Sequence, residues 1–263
     1  MKTGYIPKDQ RKKILLLSDD IRTHSGVGTQ SRQIVLNTAH HFNWVNIGGA
    51  VKHPEAGKGF NLSMEVNKVT GLTDSDVKVI ASNGYGDAAL LRSIIDQEKP
   101  DAIMHFTDPR YWIWLYQMEN EIRQKIPMVF YTIWDDVPYP MYNREFYRSD
   151  DMHLCISRQT ENIVKNVLRD HPKEDWAIKY VPHGINEKQF FPVVNDFEFE
   201  IFKEKLLGKE EQDFVVLWNS RNIRRKNASD IILAWRLFLD QLPDTKSKKC
   251  TLIMHTDPID QNG

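Results

Sequence analysis

Short apolar runs alternate with amphipathic stretches along most of the chain, and each run ends in polar or glycine-containing residues. Lys12 to Ser18 (KKILLLS) predicts a strand that closes on Asp19-Asp20. A glycine-containing loop, His24 to Gly28, then leads into an amphipathic helix over Thr29 to His41. A second strand is predicted over Asn43 to Ile47, and the Gly/Pro/Lys-rich segment Gly48 to Gly59 reads as a loop. The alternation continues with strands at Val77 to Ala81, Asp101 to Phe106, Pro127 to Trp134, Met152 to Ile156 and Ile178 to Val181. Helices are predicted over Asp87 to Gln97, Tyr111 to Gln124 and Ser157 to Arg169. A chain that alternates in this way folds most economically as an α/β domain with a mostly parallel sheet covered on both faces.

The rhythm breaks near Phe191-Pro192. Val193 to Gly208 is acidic and aromatic and reads as a linker entering an amphipathic helix, after which a new unit begins. Its elements are a strand at Asp213 to Asn219 (DFVVLWN), a basic loop at Ser220 to Asn227, a helix at Ala228 to Gln241 and a strand at Cys250 to Thr256, with a turn-like tail over Asp257 to Gly263. Two domains are therefore expected, residues 1–192 and 193–263. A doubly wound domain takes on the order of 100 residues, so the second is expected to be truncated.

Composition narrows the function classes. The 263 residues are 41% hydrophobic and 27% charged, which is ordinary for a soluble globular protein. Lysine plus arginine number 35 against 36 for aspartate plus glutamate, so no global field argues for nucleic acid or a membrane surface, and any basic site must be local. Cys155 and Cys250 lie in apolar runs without metal-type or redox-type spacing and read as buried thiols in a reducing compartment. No apolar run approaches the ~20 residues that span a bilayer, and Met1 to Lys13 lacks a signal-peptide core. A cytoplasmic protein is expected, with peripheral membrane contact left open.

Several segments carry candidate chemistry. Ser25-Gly26-Val27-Gly28-Thr29 follows the first strand, where glycines let backbone approach a ligand and a helix start offers N–H groups to an anion. A tight turn without a ligand is the alternative, but ligands of open α/β sheets bind at this end of the strands. Asn219 to Asn227 holds Arg221, Arg224, Arg225 and Lys226 between a strand and a helix start, a place suited to a diphosphate; the alternative is a solvated basic loop. Asp135 and Asp136 follow an apolar strand and are candidates for general-base or substrate-orienting work by one carboxylate while the other caps the loop or holds Arg144; the alternative is an Asx-type turn before prolines. His105 and Asp108 sit similarly one strand earlier. His183-Gly184 at a strand end reads as a ligand contact or a hinge. Trp112 and Trp114 read as core or interface anchors, because they lie inside a helix rather than on a loop; stacking platforms for a sugar are the alternative.

Taken in order, Ser25-Gly26-Val27-Gly28, Pro182-His183-Gly184-Ile185-Asn186 with Phe191-Pro192, and Ser220-Arg221 followed by Lys226 resemble the retaining glycosyltransferases of the GT-B fold known as glycosyl transferases group 1. The resemblance runs from Lys12 to Thr256 and implies a Rossmann-like N-terminal domain on the acceptor side and an incomplete Rossmann-like C-terminal domain for the nucleotide-sugar. It gives Arg221 and Lys226 the donor diphosphate, and places Gly26, Val27, Gly28, His183 and Gly184 near donor or acceptor. Ser220 and Asn227 stand where the family has glycines, which implies a different backbone path. Trp134 stands where the family often has a catalytic-site histidine, so Asp135 or His105 would have to substitute. The family's pair of donor-binding glutamates has no matching segment. The resemblance implies transfer with retained configuration to a carbohydrate or lipid-linked acceptor, with no metal or cofactor beyond the nucleotide-sugar substrate, no nucleic acid, and a hinge near Phe191-Pro192. Activity of the truncated chain is expected to be impaired, and a non-catalytic, acceptor-binding fragment is the alternative.

Overall fold

The computed structural model describes residues 4–51, 54–194, 196–209 and 211–260. Positions 52–53 of the expected loop and 261–263 of the expected tail lie outside the described residues. The chain forms two units, Met1–Gly184 and Ile185–Gly263, so the division falls at 184 rather than at the expected 192.

Unit 1 is built on strands β1 (Lys12–Asp19), β2 (Phe42–Val51), β3 (Gly59–Asn61), β4 (Val77–Asn83), β5 (Ala102–Phe106), β6 (Met128–Thr132), β7 (Met152–Cys155) and β8 (Ile178–Tyr180). They hydrogen-bond in the order β3-β4-β2-β1-β5-β6-β7-β8, and every pair is parallel except β3 with β4. β1 lies in the middle and is buried on both faces, which is why its apolar residues run continuously instead of alternating. Leu15 and Leu17 join Leu91, Ile94, Trp112 and Ile122 in the core on one face, while Leu16 joins Val35, Val66 and Tyr131 on the other. A third cluster, with Phe130, Tyr147, Ile163 and Val164, fills the far end.

The covering helices are α1 (Gly26–Thr38), α2 (Ser63–Thr70), α3 (Ala88–Glu98), α4 (Ile113–Tyr116), α5 (Glu119–Ile122), α6 (Arg144–Ser149) and α7 (Arg158–Val167). Ser25, Asp87 and Ser157 cap α1, α3 and α7 by accepting from Gly28, Leu90 and Thr160 N–H groups. The structure corrects the pattern reading in three places. The Gly48 to Gly59 loop is shorter than expected, because β2 runs on to Val51 and β3 begins at Gly59. The helices α2 and α6 had no predicted counterpart. The single helix expected over Tyr111 to Gln124 is a 3-10 turn, Pro109–Trp112, followed by the short α4 and α5. There Trp112, Leu115, Tyr116, Met118 and Ile122 are all buried, and that spacing is met by tight turns as well as by one helix.

Unit 2 contains α8 (Phe197–Leu207), β9 (Phe214–Asn219), α9 (Ala228–Leu239), α10 (Asp244–Ser247) and β10 (Cys250–His255). β9 and β10 pair in parallel as a two-stranded sheet. None of its described residues is buried. Cys155 is buried as expected, and burial pushes its thiol up to about 12. Cys250 is only partly covered, because it lies on this small sheet.

Candidate functional site

In unit 1 the chain leaves β1 to one side through β2 and later returns to β1's other side through β5, so the crossovers diverge between these strands. Ligands of open parallel sheets bind in the crevice beyond the carboxyl ends at such a point. Asp19 ends β1 and is buried, and both of its oxygens are engaged by hydroxyls. Ser25 donates to Oδ2 and Tyr85 donates to Oδ1 at 3.0 Å. Ser25 in turn accepts the Gly28 N–H at 2.9 Å, so one carboxylate fixes the start of α1 and the Tyr85 ring together. Burial, then the Asp19 charge, pushes the Tyr85 phenol above its usual range, so it stays a hydrogen-bond donor at neutral pH. Asp20 is likewise buried and takes Arg22 in a two-pronged pair.

The glycines of this loop do different work. Gly26 opens α1 with nothing within 4 Å of where a Cβ would stand, leaving its backbone open to a ligand. Gly28 is buried, and a Cβ there would lie 2.8 Å from the Asp20 carbonyl, so its lack of a side chain serves packing. Val27 packs its side chain on the core and contributes backbone alone.

At the end of β5, Thr107 adopts φ 118°, a region that a β-branched residue rarely enters. Strain of this kind persists where surrounding structure holds it, and it clusters at functional sites. Asp108 accepts Arg110 Nε at 2.9 Å and the Arg110 N–H at 2.9 Å. Burial works to raise the Asp108 carboxyl, but the Arg110 contacts outweigh it and hold it below the usual carboxylate range. Arg110 lies over the Trp134 ring at 5.8 Å, which ties the turn after β5 to the loop after β6.

His105 is not at the cleft. It is wholly buried on β5, stacked on Phe130 at 4.4 Å, with Nε2 2.8 Å from Asp150 Oδ1. The sequence places it beside the turn but not on which face of the strand it projects, and it projects into the core. Asp135 is exposed beyond β6, its carbonyl held by Gln159 Nε2 at 2.9 Å. Asp136 accepts the Val137 N–H, whereas Arg144 pairs with Asp170. His183 stands edge-on to Phe106 at 5.8 Å and to Tyr131 at 5.4 Å, over the carboxyl ends of β5 and β6. Desolvation lowers its pKa, which keeps the ring neutral at pH 7. Gly184 is exposed beside it. Trp112 is fully buried, and Trp114 packs on the same cluster. Tyr85, Tyr111 and the paired role of Asp19 were not singled out from the sequence. The Asp19-Asp20 pair at the first strand's carboxyl end was the available signal.

In unit 2 the basic loop joins β9 to α9. Arg221 is exposed and meets Asp260 through Nε at 2.8 Å and Nη2 at 2.7 Å, and that carboxylate raises the guanidinium pKa. Asn222 Nδ2 donates to the Pro258 carbonyl, tying the loop to the turn after β10. Arg224, Arg225 and Lys226 form a 3-10 turn, and none is ion-paired with a described residue. Asn227 takes the left-handed conformation, φ 49° and ψ 50°, at the start of α9. This is the conformation glycine favours and asparagine tolerates best among the others, so the backbone at Asn227 follows a glycine-type path rather than a different one. A hollow of about 640 Å³ between α8 and β9 is lined by none of these residues. Among the described residues no group of His, Cys, Asp and Glu side chains converges as a metal site, and no helix is long and apolar enough to cross a membrane.

No protein-family model matches the sequence, and no curated protein matches it. Solved structures do. The chain is similar to OtsA, at a TM-score of 0.61 and 11% identity, over 95% of this chain and 66% of that one. It is similar to HepE of Anabaena, solved in complex with UDP-glucose, at 0.56 and 14%, over 92% and 60%. The UDP-GlcNAc 2-epimerase of Neisseria meningitidis, bound to UDP-GlcNAc, gives 0.50 and 12%, over 94% and 66%. The chain thus spans less than two thirds of the length of these proteins. At such identities the likeness is one of fold, and the fold is GT-B type with Rossmann-like units.

Proposed function

We propose that the chain is the acceptor-side domain and part of the donor-side domain of a nucleotide-sugar-dependent glycosyltransferase. The observation that carries this reading is the cation-rich turn Arg224–Lys226 in unit 2. It lies directly before α9, its charges unpaired among the described residues, with Asn227 in the left-handed conformation between the turn and the helix start. Lys226 and Arg221 would hold the donor diphosphate and stabilise negative charge developing on the leaving group. Asp260 would orient Arg221 by one edge of its guanidinium, leaving Nη1 for phosphate oxygens. The acceptor would lie on the carboxyl edge of the unit 1 sheet near Gly26, Gly28, His183 and Gly184, with Asp135 as the exposed carboxylate to accept or orient a hydroxyl. Retention of configuration follows from the resemblance, and the reading needs no cofactor beyond the nucleotide-sugar.

A non-catalytic, acceptor-binding role is favoured by one observation: His105, one of two candidates for proton transfer, is sealed in the core. Incubation with UDP-, GDP- and ADP-sugars, with and without saccharide acceptors, separates the readings. Acceptor-dependent release of nucleoside diphosphate supports the transferase. Saccharide binding with neither donor binding nor release supports the non-catalytic role, and isomerised sugar nucleotide without transfer contradicts both.

A further inference from the structure

We infer that the carboxyl edge of the unit 1 sheet carries a saccharide platform, made by the Tyr85–Tyr111 stack and continued through Arg110 and Trp134 to Tyr142. This rests on the reading of unit 1 as the acceptor side and names the acceptor's chemistry as a pyranose-type sugar at the contacting end. Tyr111 is 54% exposed, yet one face of its ring is backed by Tyr85 at 4.8 Å with the planes 25° apart. Tyr85 is itself braced edge-on by the buried Trp112 at 5.1 Å and anchored through its hydroxyl to Asp19. The result is a flat aromatic surface whose inner ring cannot turn away and whose outer face is open.

The platform extends from there. Arg110, next in sequence to Tyr111, lies over Trp134, and Trp134 stands edge-on to Tyr142 at 5.8 Å. Tyr142 is 67% exposed. Amphipathic rings with a hydroxyl at one end, held rigid beside hydrogen-bonding groups, suit a ligand with C–H faces and hydroxyl edges.

An anionic bilayer is the competing occupant for exposed aromatics, and the charges here disfavour it. Arg110 is neutralised by Asp108, and the exposed carboxylates Asp135 and Asp136 follow Trp134 directly in the chain. Carboxylates accept from sugar hydroxyls and are repelled by lipid phosphates. Trp134, which stands where the resemblance expects a catalytic-site histidine, is packed on the buried cluster of Phe130 and Tyr147 and carries Arg110 over its ring, so it backs the platform from beneath.

Saturation-transfer NMR on the full chain tests this, using methyl pyranosides of the gluco, galacto, manno and N-acetylglucosamine series together with maltose. The expected result is transfer to ring C–H protons of at least one saccharide, with affinity at least about tenfold weaker in Tyr111→Ala or Tyr142→Ala and retained in Tyr111→Phe. Both tyrosines are exposed, and circular dichroism checks that each variant is folded. The proposal is overturned if no saccharide receives transfer from the folded wild type, or if Tyr111→Ala and Tyr142→Ala bind as it does. It is also overturned if the chain sediments with phosphatidylglycerol vesicles through Tyr111 and Tyr142. Nucleoside diphosphate binding separates this outcome from the parent reading. Binding intact without saccharide transfer removes the platform alone, while saccharide transfer without nucleotide binding removes the donor site alone.

Discussion

His153 is completely buried on β7, where its Nε2 donates to the Tyr147 carbonyl at 2.9 Å. Burial lowers its pKa from 6.5 to about 4. A histidine depressed in the folded state binds its proton more readily when unfolded, so its contribution is fully present above pH 6.5 and is lost as pH falls towards 4. The shift corresponds to at most about 3 kcal/mol. The melting temperature is predicted to fall over this window, and His153→Gln should flatten that part of the profile. A pH-independent melting temperature between 6.5 and 4 would contradict this. Asp150 is paired with His105 in the same buried region, and Asp150→Ala is predicted to cost on the order of 3 kcal/mol in chemical denaturation, because it strands a buried polar ring. At this scale the sequence marked His105, Asp108, Asp135 and His183 as strand-end residues correctly. It could not tell which face of a strand a side chain takes, and that decides that His105 is structural, whereas His183, in the loop after β8, reaches Phe106 and Tyr131.

At the scale of elements, the turn from β1 into α1 offers a paired test. Gly28→Ala would drive a Cβ against the Asp20 carbonyl, whereas Gly26→Ala meets open space. Gly28→Ala is predicted to destabilise the chain by about 1–3 kcal/mol, and Gly26→Ala by less than about 0.5 kcal/mol. Equal effects in urea unfolding would mean that the loop is not packed in this way. In unit 2, Asn227→Gly should be neutral and Asn227→Val should cost about 1–2 kcal/mol, since only the valine is excluded from the left-handed region. Most strands were legible because their apolar runs are short and bounded by polar clusters. α2 escaped because Ser63–Thr70 has a single buried residue, Val66, and α6 because it follows a proline-rich stretch. The break between α4 and α5 escaped because buried residues at three- and four-residue spacing also fit one continuous helix.

Across the whole molecule the two units differ in kind. Unit 1 contains every buried apolar residue among those described, from Leu15 to Ile178. Unit 2 leaves Phe197, Phe202, Leu217 and Leu233 more than half exposed. Amide exchange is therefore predicted to be slower by about a hundredfold or more in β1, β5 and β6 than in β9 and β10. Comparable protection in both would contradict the described burial. The same asymmetry sets where the functional account is most exposed to test, because the donor reading rests on a loop of the less buried unit. Titration calorimetry of the chain with UDP, GDP and ADP, beside Lys226→Ala and Arg221→Ala, tests that reading most directly. The account predicts saturable binding of at least one diphosphate, weakened at least about tenfold by Lys226→Ala and by Arg221→Ala. Binding of none of them, or binding that both variants leave unchanged, would contradict it.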